Sequence, residues 1–212
     1  MLRYFPSCNF TKASPDTAKK IRDYLSEQMP VAGCCIYDKT VFTPDDRAVY
    51  FCQACRERLQ DRVTMLSLWE YLDERDDFPL PDYGGVEMNL QDCWRDRNEP
   101  QIHKAVRSLL RKMNIRVVEI DEREERSLYC GDLHFEPQKT ENIRLMAENA
   151  DKRIYEMDDE TQHELMREQV EKFSCEWIIC DCNSCKRGIL KGGGKAVHLL
   201  ELVMGDFTDT VK

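Results

Sequence analysis

Apolar residues along this chain follow two alternating rhythms. Short apolar-rich runs read as buried strands, and between them apolar positions recur three and four apart, the spacing of one helix face. The opening run, residues 2–5, is a strand closed by Pro6-Ser7-Cys8. Ser14 then stands as an N-cap with Pro15 at the first helical position, and Ala18, Ile21 and Leu25 stripe a helix over 15–28. A strand over 48–51 delivers Cys52-Gln53-Ala54-Cys55. A helical stretch 56–62, a strand 63–66 and a helix 68–75 behind a Ser67/Glu70 capping box complete this part.

A Pro-, Gly- and acid-rich stretch, 76–85, separates it from a second half that repeats the plan. Residues 86–90 form a strand leading to Gln91-Asp92-Cys93, Ile102, Val106, Leu109, Leu110 and Met113 share a helix face, and 115–120 is a strand. Tyr129-Cys130-Gly131 lies in the following loop. Helical segments 139–148 and 160–173 precede a strand over 175–180, and Cys182-Asn183-Ser184-Cys185 opens a short helix. The turn Lys191-Gly192-Gly193-Gly194 leads to a strand 195–198 and a helix 199–203. Val49-Tyr50-Phe51-Cys52-Gln53-Ala54-Cys55 parallels Ile179-Cys180-Asp181-Cys182-Asn183-Ser184-Cys185, and Leu66-Ser67-Leu68-Trp69-Glu70 parallels Val197-His198-Leu199-Leu200-Glu201. The expectation is an α/β protein of two pseudo-repeated modules, 1–83 and 84–212, each with a small, mostly parallel sheet flanked by helices and cysteine loops at the C-terminal ends of its strands.

Composition narrows the chemistry. Among 212 residues, 42% are hydrophobic and 33% charged, enough apolar content for a folded core. The richest apolar stretch, 196–204, is short and broken by His198 and Glu201, so no membrane span is expected. No apolar signal segment follows Met1, which predicts a cytoplasmic protein. The net charge of -9, with Lys and Arg dispersed among acids, argues against nucleic acid as a partner. The chain carries 11 cysteines, and in a reducing compartment these serve metal binding or redox chemistry more often than structural disulfides.

Nine of them fall into a doubled pattern: Cys8, the adjacent Cys34 and Cys35, and Cys52 with Cys55; then Cys93, Cys130, and Cys182 with Cys185. Strand C-termini converge on one edge of a parallel sheet, and helix N-termini there favour thiolates. Neighbouring side chains of an extended backbone point apart, so an adjacent pair reaches two irons of a cluster more readily than one small ion. The pattern, together with Tyr4-Phe5-Pro6-Ser7-Cys8 and Gln91-Asp92-Cys93-Trp94-Arg95, resembles the cysteine-rich CCG-domain family, the iron–sulfur proteins typified by heterodisulfide reductase, over nearly the whole chain. The resemblance implies an iron–sulfur protein of anaerobic redox metabolism that transfers electrons or reduces a thiol or disulfide substrate. It implies one or two 4Fe–4S clusters, non-cubane where all five cysteines of a module are kept, held by Cys8, Cys34, Cys35, Cys52 and Cys55 and by Cys93, Cys130, Cys182 and Cys185. Three departures stand out. Ile36 replaces the first module's Gly. Only 16 residues separate Cys35 from Cys52, against 51 between Cys130 and Cys182. Tyr129 replaces the first cysteine of the second pair, leaving Tyr129 or Cys180 as an additional candidate ligand.

Other readings remain open. Zinc could replace iron, making the chain a zinc-stabilised or metal-free scaffold docked onto a larger oxidoreductase. Alternatively, Cys52 with Cys55, or Cys182 with Cys185, could perform thiol–disulfide chemistry directly. No nucleotide or flavin fingerprint is present, so an electron-donor protein or other oxidoreductase subunits are expected as partners, with a small disulfide as a candidate substrate. Cys175 and Cys180 read as buried in an apolar strand, His198 as a helix cap, and His134 as a lone candidate facing the cysteines. Trp69, Trp94 and Trp177 read as core or shielding residues, the glycine run 192–194 as a turn, and the charge run 121–126 as a solvated loop.

Overall fold

The computed structural model describes residues 1–207; the last stretch of the expected second module, 208–212, lies outside the described residues. The first half contains β1 (Leu2–Tyr4), α1 (Cys8–Ala13), α2 (Pro15–Ser26), β2 (Arg47–Tyr50), α3 (Gln53–Leu59), β3 (Thr64–Ser67) and α4 (Leu68–Asp73). The second contains β4 (Val86–Gln91), α5 (Pro100–Lys112), β5 (Ile115–Val118), α6 (Thr140–Glu148), α7 (Asp159–Val170), β6 (Trp177–Cys180), α8 (Asn183–Lys191), β7 (Lys195–His198) and α9 (Leu199–Val203). The strands form two parallel sheets, ordered β1-β2-β3 and β5-β4-β6-β7. Where the larger sheet has β5 beside β4, the smaller has only a bridge from Val31 to Tyr4.

The doubled capping motif explains why both halves turn alike from their last strand into a helix. Ser67 Oγ accepts the Trp69 N–H at 3.2 Å while Glu70 accepts the Ser67 N–H at 3.3 Å. His198 Nδ1 accepts the Leu200 N–H at 3.1 Å while Glu201 accepts the His198 N–H at 2.8 Å. Phe10 meets Phe51 edge-on with centroids 5.3 Å apart, and His198 packs 4.5 Å from Phe10, so the repeats join through one aromatic cluster that also holds the buried Trp69. Across the same junction Ser14 donates to Glu201 at 2.5 Å and Thr17 to Asp206 at 2.6 Å.

Four segments depart from the periodicity reading. Helix α1 has a single buried apolar residue, Phe10, and so no stripe to announce it; it forms because Ser7 Oγ caps the Phe10 N–H at 3.2 Å. Helix α3 begins at Gln53, before the expected 56–62, and takes in Cys55. Strand β6 begins at Trp177 because the N–H groups of Ser174 and Cys175 donate instead to Asn89 Oδ1, at 2.9 and 2.7 Å. The charge run 121–126 is not a free loop: Glu124 N–H donates to buried Asp92 at 2.8 Å, and Glu122 pairs with Lys172 at 3.0 Å.

Candidate metal centre

Strand ends build the site. Cys93 follows β4 after Gln91-Asp92, Cys182 follows β6 and caps α8, Cys185 lies in the first turn of α8, and Cys130 comes from the loop beyond β5. Asp92 fixes the exit from β4: buried, it takes two hydrogen bonds from Arg107, at 2.7 and 3.1 Å. The Trp94 N–H reaches Tyr129 O at 2.9 Å, drawing the Cys93 and Cys130 loops together.

All four sulfurs are buried and lie within 4.8 Å of one another. Cys93 and Cys130 stand 3.4 Å apart, and Cys130 and Cys182 4.0 Å. A tetrahedral thiolate ion with metal–sulfur bonds of about 2.3 Å requires sulfur–sulfur edges of about 3.8 Å, which these pairs bracket. Cys93, Cys130, Cys182 and Cys185 could therefore hold a metal. Their protons are already shared unequally: donation from Cys130, Cys185 and Cys93 holds Cys182 well below the usual thiol range, while burial pushes Cys93 and Cys185 up.

Gly131 is what lets the Cys130 loop close on α8. Its φ is +56°, and a Cβ there would lie 1.8 Å from the Ser184 carbonyl oxygen. Gly188 serves the same contact from the α8 side, where a Cβ would come 2.1 Å from the Tyr129 hydroxyl and 2.6 Å from Gly131 Cα. The Tyr129 hydroxyl itself turns to Met166 Sδ, at 3.2 Å, and Cys180 is buried outside the four-sulfur group.

The first-half cysteines are arranged more openly. Cys8 is exposed, Cys34 and Cys52 are partly exposed, and Cys35 and Cys55 are buried. Thiol–thiol interactions link Cys8 to Cys34, Cys34 to Cys35, Cys35 to Cys55 and Cys55 to Cys52, a chain of neighbours rather than one tight group. Cys52 is lowered to about 6, chiefly by Cys55 and further by Ser7 and the N–H groups that open α3. Among the described residues, no first-half set matches the close approach of the second-half four. Ile36 accounts for part of the contrast. It does not adopt the positive φ that Gly131 uses, and the pair, Cys34 partly exposed and Cys35 buried, lies beside a cleft of about 490 Å³ lined by Cys35, Ile36, Ala54, Glu57 and Arg58.

His198 is buried and spends Nδ1 on capping, so its proton sits on Nε2, which leaves it a donor and unfit to ligate; burial lowers it to about 4. His134 stacks on Trp94 at 3.7 Å and faces Glu136 at 3.0 Å, outside the four-sulfur group. Cys175 lies partly exposed before β6. Residues that periodicity did not single out, Gln53, Arg56 and Asp96, tie the two sets of cysteines together. Burial pushes Asp96 up to about 7 even though Arg56 lies 2.8 Å away. Their only trace in the sequence is that Gln53 and Arg56 stand one turn apart around a Cys-X-X-Cys.

No protein-family model matches the chain, and no curated protein compared with it matches either. Among the described residues, no helix is long and apolar enough to cross a membrane.

Proposed function

We propose that this protein is a metal-dependent redox subunit with a division of labour between its halves. The closed second-half group, Cys93, Cys130, Cys182 and Cys185, holds one tetrahedral ion that fixes the fold. The open first-half set, Cys8, Cys34, Cys35, Cys52 and Cys55, holds an iron–sulfur cluster that exchanges electrons. The observation that carries this reading is the mutual approach of four buried sulfurs within 4.8 Å, a spacing suited to a single ion. A cubane places an iron at each corner and holds its thiolates farther apart, which directs the cluster to the other set. The contrast in exposure agrees, since structural metal sites are closed and reactive ones keep an open position. The resemblance to the CCG-domain proteins of the heterodisulfide reductase type supplies the reaction class: electron transfer, or reduction of a small disulfide, fed by a donor protein or partner subunit.

In this assignment the five first-half thiolates would hold the cluster, which supplies the electron chemistry. The Ala54 and Cys55 N–H groups at the start of α3 donate to the Cys52 sulfur, and the Ser7 hydroxyl donates to it as well. The alternative scaffold role shares the second-half ion in its zinc-stabilised form and has no metal in its metal-free form, so iron and acid-labile sulfide separate it from the redox role. Protein purified without oxygen should contain one thiolate-bound ion per chain plus iron and sulfide in similar amounts. Cys52→Ser should remove the iron and sulfide, and Cys185→Ser the single ion. Zinc without iron or sulfide in iron-replete anaerobic preparations would leave only the zinc-stabilised scaffold, and metal-free protein would reject the redox reading and leave only the metal-free scaffold.

A further inference from the structure

The two cysteine sets are joined by a buried clamp. Segment 95–99 is wound directly on Cys93, whose carbonyl accepts the Asp96 N–H at 2.9 Å, while the Asp96 carbonyl accepts the Glu99 N–H at 2.8 Å. This segment grips α3 of the other half. Arg56 Nη1 lies 2.8 Å from Asp96 and 3.2 Å from Glu99, Arg56 also donates to the Arg95 carbonyl, and Gln53 donates to Asp96. On the rim, Arg95 pairs with Glu57 at 2.5 Å. At its other end the clamp joins the backbone of the first-half Cys-X-X-Cys, where the Arg56 and Cys55 N–H groups donate to the Cys52 carbonyl at 3.1 and 2.9 Å. Asp96 and Gln53 are buried, and the Arg56 side chain is nearly so. A group held this way has few alternative partners, so displacing Asp96 displaces α3.

We propose that Arg56 and Asp96 are positioning residues that make the first-half Cys-X-X-Cys respond to the state of the second-half centre. An ion that pulls Cys93 toward Cys130, Cys182 and Cys185 fixes segment 95–99, and through it the turn carrying Cys52 and Cys55. By linkage, filling the first-half set must tighten the second-half centre by the same factor. The inference rests on the second-half group being a metal site, as proposed above, and extends that reading from two independent sites to two coupled ones.

The test uses the full chain, reduced, free of iron and loaded with one equivalent of zinc. Maleimide labelling rates at Cys52 and Cys55 are mapped by mass spectrometry, with Cys34, which lies outside α3, as the internal reference. Stripping the zinc should raise the Cys52 and Cys55 rates relative to Cys34 by at least about tenfold, the factor for a coupling of typical size. Asp96→Asn, which keeps the shape of the side chain, should label fast with zinc still bound, and Arg56→Lys should fall between it and the parent protein. Circular dichroism and zinc stoichiometry establish that each variant is folded and loaded. Parent-like rates in zinc-loaded Asp96→Asn and Arg56→Lys would overturn the proposal, as would parent rates indifferent to zinc. A parent protein that binds no zinc overturns the metal reading instead; parent-like rates in the two variants would then still reject the clamp.

Discussion

Replacing Gly131 by alanine tests the logic of the metal centre most directly. The residue sits at φ +56°, where an L side chain costs about 1–2 kcal/mol. Its new Cβ would fall 1.8 Å from the Ser184 oxygen and 2.5 Å from the Ser184 carbonyl carbon. Both are backbone atoms, so no side chain can rotate away, and relieving such overpacking costs roughly 1–3 kcal/mol. The relief available is for the Cys130 loop to lift from α8, which separates Cys130 from Cys182 and Cys185. Because the strain is felt where the four sulfurs converge, most of a total of about 2–5 kcal/mol should appear as lost metal affinity, about 30- to 5000-fold. Competitive zinc titration against a chromophoric chelator measures this, and cobalt substitution reports whether the tetrahedral thiolate bands survive. Gly33→Ala is the control: a Cβ there meets nothing within 4 Å, so stability should be unchanged or slightly raised. Parent-like zinc affinity and melting in Gly131→Ala would refute the claim that this contact assembles the site.

Tyr129→Phe should bind metal with its stoichiometry intact and lose about 1 kcal/mol or less, because the hydroxyl it removes bonds Met166 Sδ at 3.2 Å; a missing ion in metal analysis would contradict this. Removing the second-half ion with a chelator should lower the melting temperature by about 5–10 °C at a starting excess of a hundredfold over Kd, readable by calorimetry. His198 is lowered to about 4 by burial, against Glu201, which raises it, so the unfolded chain binds the extra proton first as pH falls. Its stabilising contribution is therefore complete above about pH 6.5 and is lost between there and about 4, about 3 kcal/mol across that window. In His198→Asn, which retains a capping oxygen, the fall in urea-measured stability from pH 7 to pH 4 should be shallower than in the parent; equal slopes would count against the buried neutral imidazole. Trp69→Ala should cost about 3–5 kcal/mol by leaving a cavity beside Phe51 and His198 in the aromatic cluster, measured by chemical denaturation.

The sequence alone determined the alternation of strands and helices, the parallel sheets, the repeated capping boxes and the placement of cysteines at strand ends. Each is set by local chemistry: apolar spacing, Ser67 and Glu70 three apart, a proline after Ser14. What it left undetermined was which cysteines share a site. The doubled motif suggested a ligand set in each module despite their unequal spacing, yet only Cys93, Cys130, Cys182 and Cys185 close into one tight group among the described residues. The difference arises from contacts distant in sequence: Gly131 against Ser184, Trp94 against Tyr129, Asp92 against Arg107. Helix α1 and the Gln53–Arg56–Asp96 clamp were equally hidden, the first because one cap and one phenylalanine leave no periodicity. The clamp was hidden because a buried polar network is defined by the partners tertiary packing brings to it, and Arg56 in isolation looks like any surface arginine.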